Sequence, residues 1–169
     1  MNALFAVALF CVCVFFGNGK AGALRVRKRV LSAMEEDIRR LADQMELRPD
    51  PLSVLLTQFE PRTEAFWGIF RKKLGGEASV AELWKEAVME AAQARNGFEL
   101  LCAEETAILT DFGMGLSNVG LAAQRANATL TCKRLSARVM AVEQELAQKG
   151  KLFESLGVLA GLALALLVI

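Results

Sequence analysis

The residues with chemical potential in this sequence are neighbouring carboxylates and one glycine-containing loop. Carboxylates adjoin each other at Glu104-Glu105 and at Glu35-Glu36-Asp37. Such pairs serve acid–base catalysis where a cleft presents them to a substrate, but here they fall on the surfaces of predicted helices. The loop Gly113-Met-Gly115 is not followed by the Lys-Ser or Lys-Thr of a phosphate-binding loop. No catalytic residue is therefore predicted.

The chain contains four cysteines and no histidine. Without histidine there is no Ser/His or Cys/His nucleophile pair and no histidine phosphotransfer. Cys11 and Cys13 lie in an apolar N-terminal run, whereas Cys102 and Cys132 are far apart at apolar helical positions. With no C-x-x-C pair, the sequence predicts no metal site, no disulfide framework and no cofactor. These absences favour an interaction protein over an enzyme.

The C-terminal end of the sequence is continuously apolar. From Leu156 to Ile169 there is no polar side chain. The 18 residues from Leu152 would form about 27 Å of helix, close to the thickness of a bilayer core. Gly157 and Gly161 form a G-x-x-x-G pair, which allows another membrane helix to approach closely. Residues 149–169 are therefore predicted to be a transmembrane helix.

A second apolar run, Ala3 to Phe16, lies at the N-terminus. A cleaved secretory signal normally has basic residues before the apolar run, and here they follow it. A lipoprotein signal at Cys11 or Cys13 lacks the small residues expected before the cysteine. An uncleaved transmembrane helix over residues 1–19, with its N-terminus outside, is the interpretation that fits best.

Basic residues flank the inner side of each apolar run. They are Lys20, Arg25, Arg27, Lys28 and Arg29 after the first run, and Lys149 and Lys151 before the second. The positive-inside rule then places residues 20–148 in the cytosol and both termini outside. The net charge of +1 gives no indication of nucleic-acid binding.

Helical periodicity predicts an all-α cytosolic domain, an antiparallel bundle of about six helices with short connections. The first helix is predicted from Leu24 to Glu46, the second is short and ends at about Phe59, and the third ends at Gly75-Gly76. The fourth begins at the capping box Ser79-Val-Ala-Glu82 and ends at Asn96-Gly97. The fifth runs from Phe98 to Phe112, and the sixth from near Asn118 to Ile169. The last one is predicted to continue into the membrane. Gly113-Met-Gly115 is predicted to break the bundle, and Glu35, Glu36 and Asp37 are assigned to a solvated face.

Three segments resemble a known family. They are Lys151-Leu-Phe-Glu-Ser-Leu-Gly-Val-Leu-Ala-Gly-Leu162, Leu109-Thr-Asp-Phe-Gly113, and Ala81-Glu-Leu-Trp-Lys-Glu-Ala87. The chain resembles the stage III sporulation protein AB family along its whole length. The positions that carry the family motif are Phe112, Gly113, Leu116, Gln124, Leu156, Gly157 and Gly161. The sequence differs from the family pattern at Ser117, Gly120 and Phe153.

The resemblance implies a non-enzymatic membrane scaffold of the channel between mother cell and forespore. It also implies a soluble domain similar to the cytoplasmic domains of type II secretion platforms. By that analogy the bundle would face the mother-cell cytosol and dock a secretion-type ATPase encoded in the same operon, beside other membrane proteins of the channel. A candidate surface for the ATPase consists of Glu99, Glu104, Glu105 and Asp111. The alternatives are a vegetative two-anchor scaffold, a secretion or pilus platform subunit unrelated to sporulation, or a membrane-bound regulator whose bundle binds a soluble signalling partner.

Overall fold

The computed structural model describes residues 2–47, 52–75, 78–117, 120–150, 155 and 158–159, and of residues 2–18, 53 and 150 it describes the backbone alone. Across these ranges the fold is helical and contains no strand, so the all-α prediction is confirmed. The helices are α1 (Asn2–Leu47), α2 (Leu52–Gln58), α3 (Glu64–Lys73), α4 (Val80–Gln93), α5 (Ala103–Leu116) and α6 (Leu121–Glu145). A 3₁₀ turn (Phe98–Leu100) precedes α5, and a π-helical segment (Leu146–Gly150) follows α6.

The two predicted membrane segments fall largely beyond what the structure describes. This is the case for most of residues 149–169 and for the side chains of residues 1–18. Within the part of the chain that is described, no helix combines the length and the apolar character needed to cross a membrane.

The chain forms two compact units. One consists of Met1–Lys28 with Met140–Ile169, and the other of Arg29–Val139. In the first unit, Ala21 of α1 and Val142 of α6 are buried, and Lys28 Nζ lies 2.8 Å from a Glu143 carboxylate oxygen. The second unit contains the helical bundle.

The inner face of α1 in the bundle follows the predicted periodicity. Its apolar residues are all buried, namely Leu31, Met34, Ile38, Leu41 and Met45. The solvated face was predicted incorrectly at one position, because Asp37 is fully buried. Its carboxylate is kept inside by donors from the start of α3, which sequence periodicity does not show.

Helices α3, α4 and α5 enclose an aromatic core, which we define as Phe66, Trp67, Phe70, Trp84 and Phe112. All five side chains are fully buried. The Trp84 ring lies at the centre, with ring centroids 4.7 Å from Phe66, 5.3 Å from Trp67 and 5.1 Å from Phe112. Nearly all of these pairs are edge-to-face or tilted, the geometry favoured by the quadrupoles of aromatic rings.

The start of α4 agrees with the prediction from the sequence, whereas both ends of α5 differ from the predicted ends. Ser79 and Glu82 form the predicted capping box, and the N–H of Ser79 donates to Glu82 and lowers the pKa of that carboxyl. The predicted fifth helix does not begin at Phe98. Residues there form a 3₁₀ turn, since Gly97 has a φ of +97° that directs the chain out of α4.

The predicted break at Gly113-Met-Gly115 is also wrong. Helix α5 continues through both glycines to Leu116. The break falls beyond Leu116, where Gly120 has a φ of +110° just before α6 begins. The side chains of Trp84 and Asn127 occupy the space beside these two glycines.

Candidate functional site

The family-motif residues in the bundle meet on α5. Phe112, Gly113 and Leu116 are buried on one side of the helix. Trp84 of α4 covers Gly113 so closely that a Cβ at this position would overlap the indole ring. The Trp84 Nε1–H donates to the carbonyl oxygen of Leu109 at 2.8 Å. Glycine is therefore required at position 113 to let a buried tryptophan lie directly against the helix backbone.

Two side chains of α6 bind the carbonyl groups of α5. Asn127 Nδ2 donates to the Phe112 carbonyl at 2.9 Å, and Gln124 Nε2 donates to the Leu116 carbonyl at 3.1 Å. A Cβ at Gly115 would overlap the Asn127 side chain. The carbonyl of Leu116 lies at the helix terminus, where no further turn supplies a donor, so Gln124 acts as a C-terminal cap. Helix α5 is thus held on one side by Trp84 and on another by α6.

This arrangement explains the family motif in the bundle as a packing motif. The Phe112 ring contacts Trp84, Gly113 makes room for it, and Gln124 satisfies the end of the helix. Among the described motif residues, the side chains of Phe112 and Leu116 are buried, and that of Gln124 binds a carbonyl of α5. Their contacts point to a structural role for this part of the motif.

The four acidic candidates do not form a single exposed acidic surface. Glu105 is fully buried, so it has to be removed from the predicted partner surface. Its carboxylate accepts a hydrogen bond from the Cys102 N–H at 3.0 Å, at the start of α5, and lies 3.3 Å from Arg138 Nε. The role of Glu105 is to join the beginning of α5 to α6.

Of the other three candidates, Glu99 and Glu104 are exposed and Asp111 is half-buried, and each has a partner within the molecule. Glu104 lies 3.0 Å from Arg138, and Asp111 lies 3.0 Å from Arg134. Glu99 accepts from the N–H groups of Asn96 and Gly97 at the turn before α5. Two of these carboxylates therefore belong to ion pairs at the surface between α5 and α6, in which Arg134 is exposed and Arg138 is half-buried.

Asp37 is a buried carboxylate whose position sequence reasoning missed. It accepts hydrogen bonds from the N–H groups of Arg62 (2.7 Å) and Thr63 (2.9 Å), from the Thr63 hydroxyl, and from Trp67 Nε1 at 3.1 Å. These four donors are uncharged and surround the N-terminus of α3, which favours a negative charge. Asp37 therefore connects α1 to the aromatic core.

A cleft of about 300 Å³ lies between α1 and α6 in the bundle. Ala42, Ala128 and Ser136 leave this space open, and charged side chains including Arg39 and Asp43 surround it. Cys132 also lines the cleft, and burial raises the pKa of its thiol to about 11. The thiol stays protonated at neutral pH, in the form that is a poor nucleophile and a poor metal ligand.

Within the described residues, no group of three or more Cys, Asp or Glu side chains is placed to hold a metal ion. Every buried side-chain nitrogen or oxygen atom there has a hydrogen-bond partner. The remaining predicted positions, Leu156, Gly157 and Gly161, lie outside the described residues. The predicted packing role of the glycine pair stays a prediction.

The fold and the contacts of α5 define a helical-bundle protein in which polar side chains form hydrogen bonds and ion pairs between the helices. The sequence model of the stage III sporulation protein AB family matches residues 2–169. The chain therefore belongs to the stage III sporulation protein AB family, which confirms the resemblance and connects the protein with sporulation. Neither a curated protein nor a solved structure is significantly similar to the chain.

Proposed function

We propose that the protein is a non-enzymatic membrane scaffold of the channel between mother cell and forespore. The observation that carries the proposal is the family match, which covers both apolar terminal runs as well as the bundle. The N-terminal run, Ala3 to Phe16, forms the first part of α1, and the C-terminal run follows α6 and its π-helical segment in the sequence. In this proposal the two long helices connect the bundle to the mother-cell membrane, and Gly157 and Gly161 allow close approach of another membrane helix.

The bundle, in this proposal, docks the cytosolic secretion-type ATPase encoded in the same operon. Helices α5 and α6 offer an exposed surface of ion pairs, here called the α5–α6 charged surface, consisting of Glu104, Asp111 and Arg134. Exposed ion pairs contribute only about 0.2–1 kcal/mol each. A charged partner can therefore replace them at little cost to the stability of the bundle. The buried carboxylates Asp37 and Glu105 take no part.

A binding assay on the detergent-solubilised full chain tests the ATPase proposal. Glu104→Lys combined with Asp111→Lys reverses two charges on the α5–α6 charged surface. We expect slower association with the ATPase and a weaker dependence of the association rate on salt, because complementary charges act mainly on the encounter of two proteins. The measurement is surface plasmon resonance across a salt series.

The matched control is Glu64→Lys combined with Glu86→Lys. These two carboxylates are also exposed and ion-paired, but they lie on α3 and α4. The control is expected to bind like the wild type. If the folded wild-type chain fails to bind the ATPase even at low salt, the ATPase proposal is refuted and a membrane scaffold alone is left.

A further inference from the structure

Cationic side chains outnumber acidic ones in two segments of the first compact unit, residues 19–28 and 140–150. They are Lys20, Arg25, Arg27 and Lys28 of α1, and Lys149 after α6, which we call the basic collar. Over residues 19–28 and 140–150, the acidic side chains are Glu143 and Glu145. Five cations against two anions give these two segments an excess of three positive charges.

Two members of the basic collar form ion pairs with acidic side chains of these segments. Lys28, which is half-buried, pairs with Glu143 at 2.8 Å, and this pair joins α1 to α6. Lys149 pairs with Glu145, four residues earlier in the sequence, at 2.9 Å. Both Lys149 and Lys20 are exposed, as is Arg25. An ion pair at the surface, such as Lys149–Glu145, is weak, so its lysine can exchange the glutamate for another anion.

Along the chain, the other members of the basic collar come between the Lys28–Glu143 pair and the two apolar runs. Lys20 precedes Lys28 by eight residues, which is about 12 Å of helix. The N-terminal apolar run ends at Phe16, four residues before Lys20. Lys149 follows Glu143 by six residues and comes just before the C-terminal apolar run. If the apolar runs enter a bilayer, these cations fall at the depth of the lipid headgroups.

From this placement we infer that the basic collar binds anionic phospholipid headgroups. The inference rests on the membrane anchoring proposed above, and it adds a lipid preference to that anchoring. Phosphatidylglycerol carries a net negative charge, whereas the phosphate of phosphatidylcholine is neutralised by its own choline. Each lysine or arginine close to an anionic surface favours binding about fivefold, which corresponds to about 1 kcal/mol.

The test uses the full chain reconstituted in phosphatidylcholine vesicles that contain phosphatidylglycerol. Electron paramagnetic resonance with spin-labelled lipids measures the association of each lipid with the protein. For the wild type we expect phosphatidylglycerol to associate at least about threefold more strongly than phosphatidylcholine, and less so at high salt. Lys20→Gln with Lys149→Gln should remove more than half of that preference.

The matched control is Lys72→Gln with Lys85→Gln, which removes two exposed lysines from the bundle. It should keep the lipid preference of the wild type. Flotation of the vesicles separates the two ways of failing. A chain that does not float with the vesicles refutes membrane anchoring and the basic collar together. A chain that floats but binds both lipids equally refutes the basic collar alone.

Discussion

The aromatic core and the part of the bundle between α1 and α6 are packed in different ways. Around Trp84 four other aromatic rings have centroids within 5.3 Å, and only glycine fits at position 113. The side chains that line the cleft between α1 and α6 are small, polar or charged, and about 300 Å³ remains open beside Cys132. The same bundle thus contains a closely packed region and a loosely packed one.

The difference shows where the sequence is constrained by packing. In a close-packed interior an added methyl group lowers the stability of the fold, whereas a cleft open to solvent accommodates larger side chains without strain. The motif residues Phe112 and Gly113 lie in the first region. The second region, in contrast, is expected to tolerate substitution, and its long helices lead toward the terminal apolar runs.

The largest effect is expected where Asp37 joins α1 to the aromatic core. Asp37→Ala would leave the N–H groups of Arg62 and Thr63 and the indole of Trp67 without their acceptor. Each buried donor left unsatisfied costs about 1–3 kcal/mol, so we expect a loss of at least about 3 kcal/mol in the free energy of unfolding. Urea unfolding of the full chain in detergent micelles, followed by tryptophan fluorescence, measures it.

The control for this substitution is Asp37→Asn, which retains one acceptor oxygen. It should lose clearly less stability than Asp37→Ala. Equal losses for the two variants, or a loss below about 1 kcal/mol for Asp37→Ala, would mean that the hydrogen bonds of Asp37 do not hold α3 in place.

Glycine substitutions test the close packing of the aromatic core directly. Gly113→Ala should destabilise the fold by about 1–3 kcal/mol, because the new methyl group overlaps Trp84 and neither can move freely. Gly68→Ala is the matched control in α3, where the nearest atom is Glu64 Oε1 at 3.9 Å. There alanine should stabilise the helix by about 0.5–1 kcal/mol. Opposite signs in urea unfolding support the account, and a stabilising Gly113→Ala contradicts it.

A larger side chain in the cleft tests the loosely packed region. Ser136→Met replaces the hydroxyl oxygen with three heavy atoms at a position that lines the open space. Because methionine is flexible and a good helix former, we expect the stability to change by less than about 1 kcal/mol. Thermal unfolding monitored by circular dichroism provides the comparison with Gly113→Ala. A loss as large as that of Gly113→Ala would show that the cleft is packed as tightly as the core.

The thiol of Cys132 reports on the same cleft through its pH dependence. Burial raises its pKa from 9.0 to about 11, so its alkylation by iodoacetamide should be slow at pH 8 and still rising at pH 10. Since the folded pKa lies above the unfolded one, the stability that this thiol contributes is complete below pH 9 and is lost between about pH 9 and 11. Peptide mass spectrometry follows the modification.

The urea-unfolded chain is the control for this measurement, and its Cys132 should titrate near the ordinary value. If alkylation of the folded protein instead levels off below pH 9, the thiol is not desolvated in the cleft.

The apolar faces of the helices could be read from the sequence because they depend on local periodicity. The buried series on α1 and the aromatic residues of α3 are examples, as is the capping box at Ser79. The buried carboxylates could not be read in this way. The donors to Asp37 include Thr63, 26 residues away, and the guanidinium beside Glu105 comes from Arg138, 33 residues away.

The glycines of α5 were misread for a related reason. Glycine weakens an isolated helix, so Gly113 and Gly115 predicted a break. In the bundle, Trp84 and Asn127 occupy the space beside these glycines and bind the helix carbonyls, and these tertiary contacts outweigh the local preference. The 3₁₀ turn at Phe98 also depended on local groups, since Asn96 and Glu99 hydrogen-bond backbone N–H groups of the turn.

The central claim, a bundle facing the cytosol between two membrane anchors, is tested most directly by reporter fusions. A reporter active only in the cytosol is inserted at Gly75, an exposed turn with a φ of +114° after α3, or fused after Ile169. The basic residues on the inner flanks of both apolar runs predict activity at Gly75 and none at Ile169. Activity at Ile169 would contradict the account, as would a reporter at Gly75 that functions only outside the cytosol.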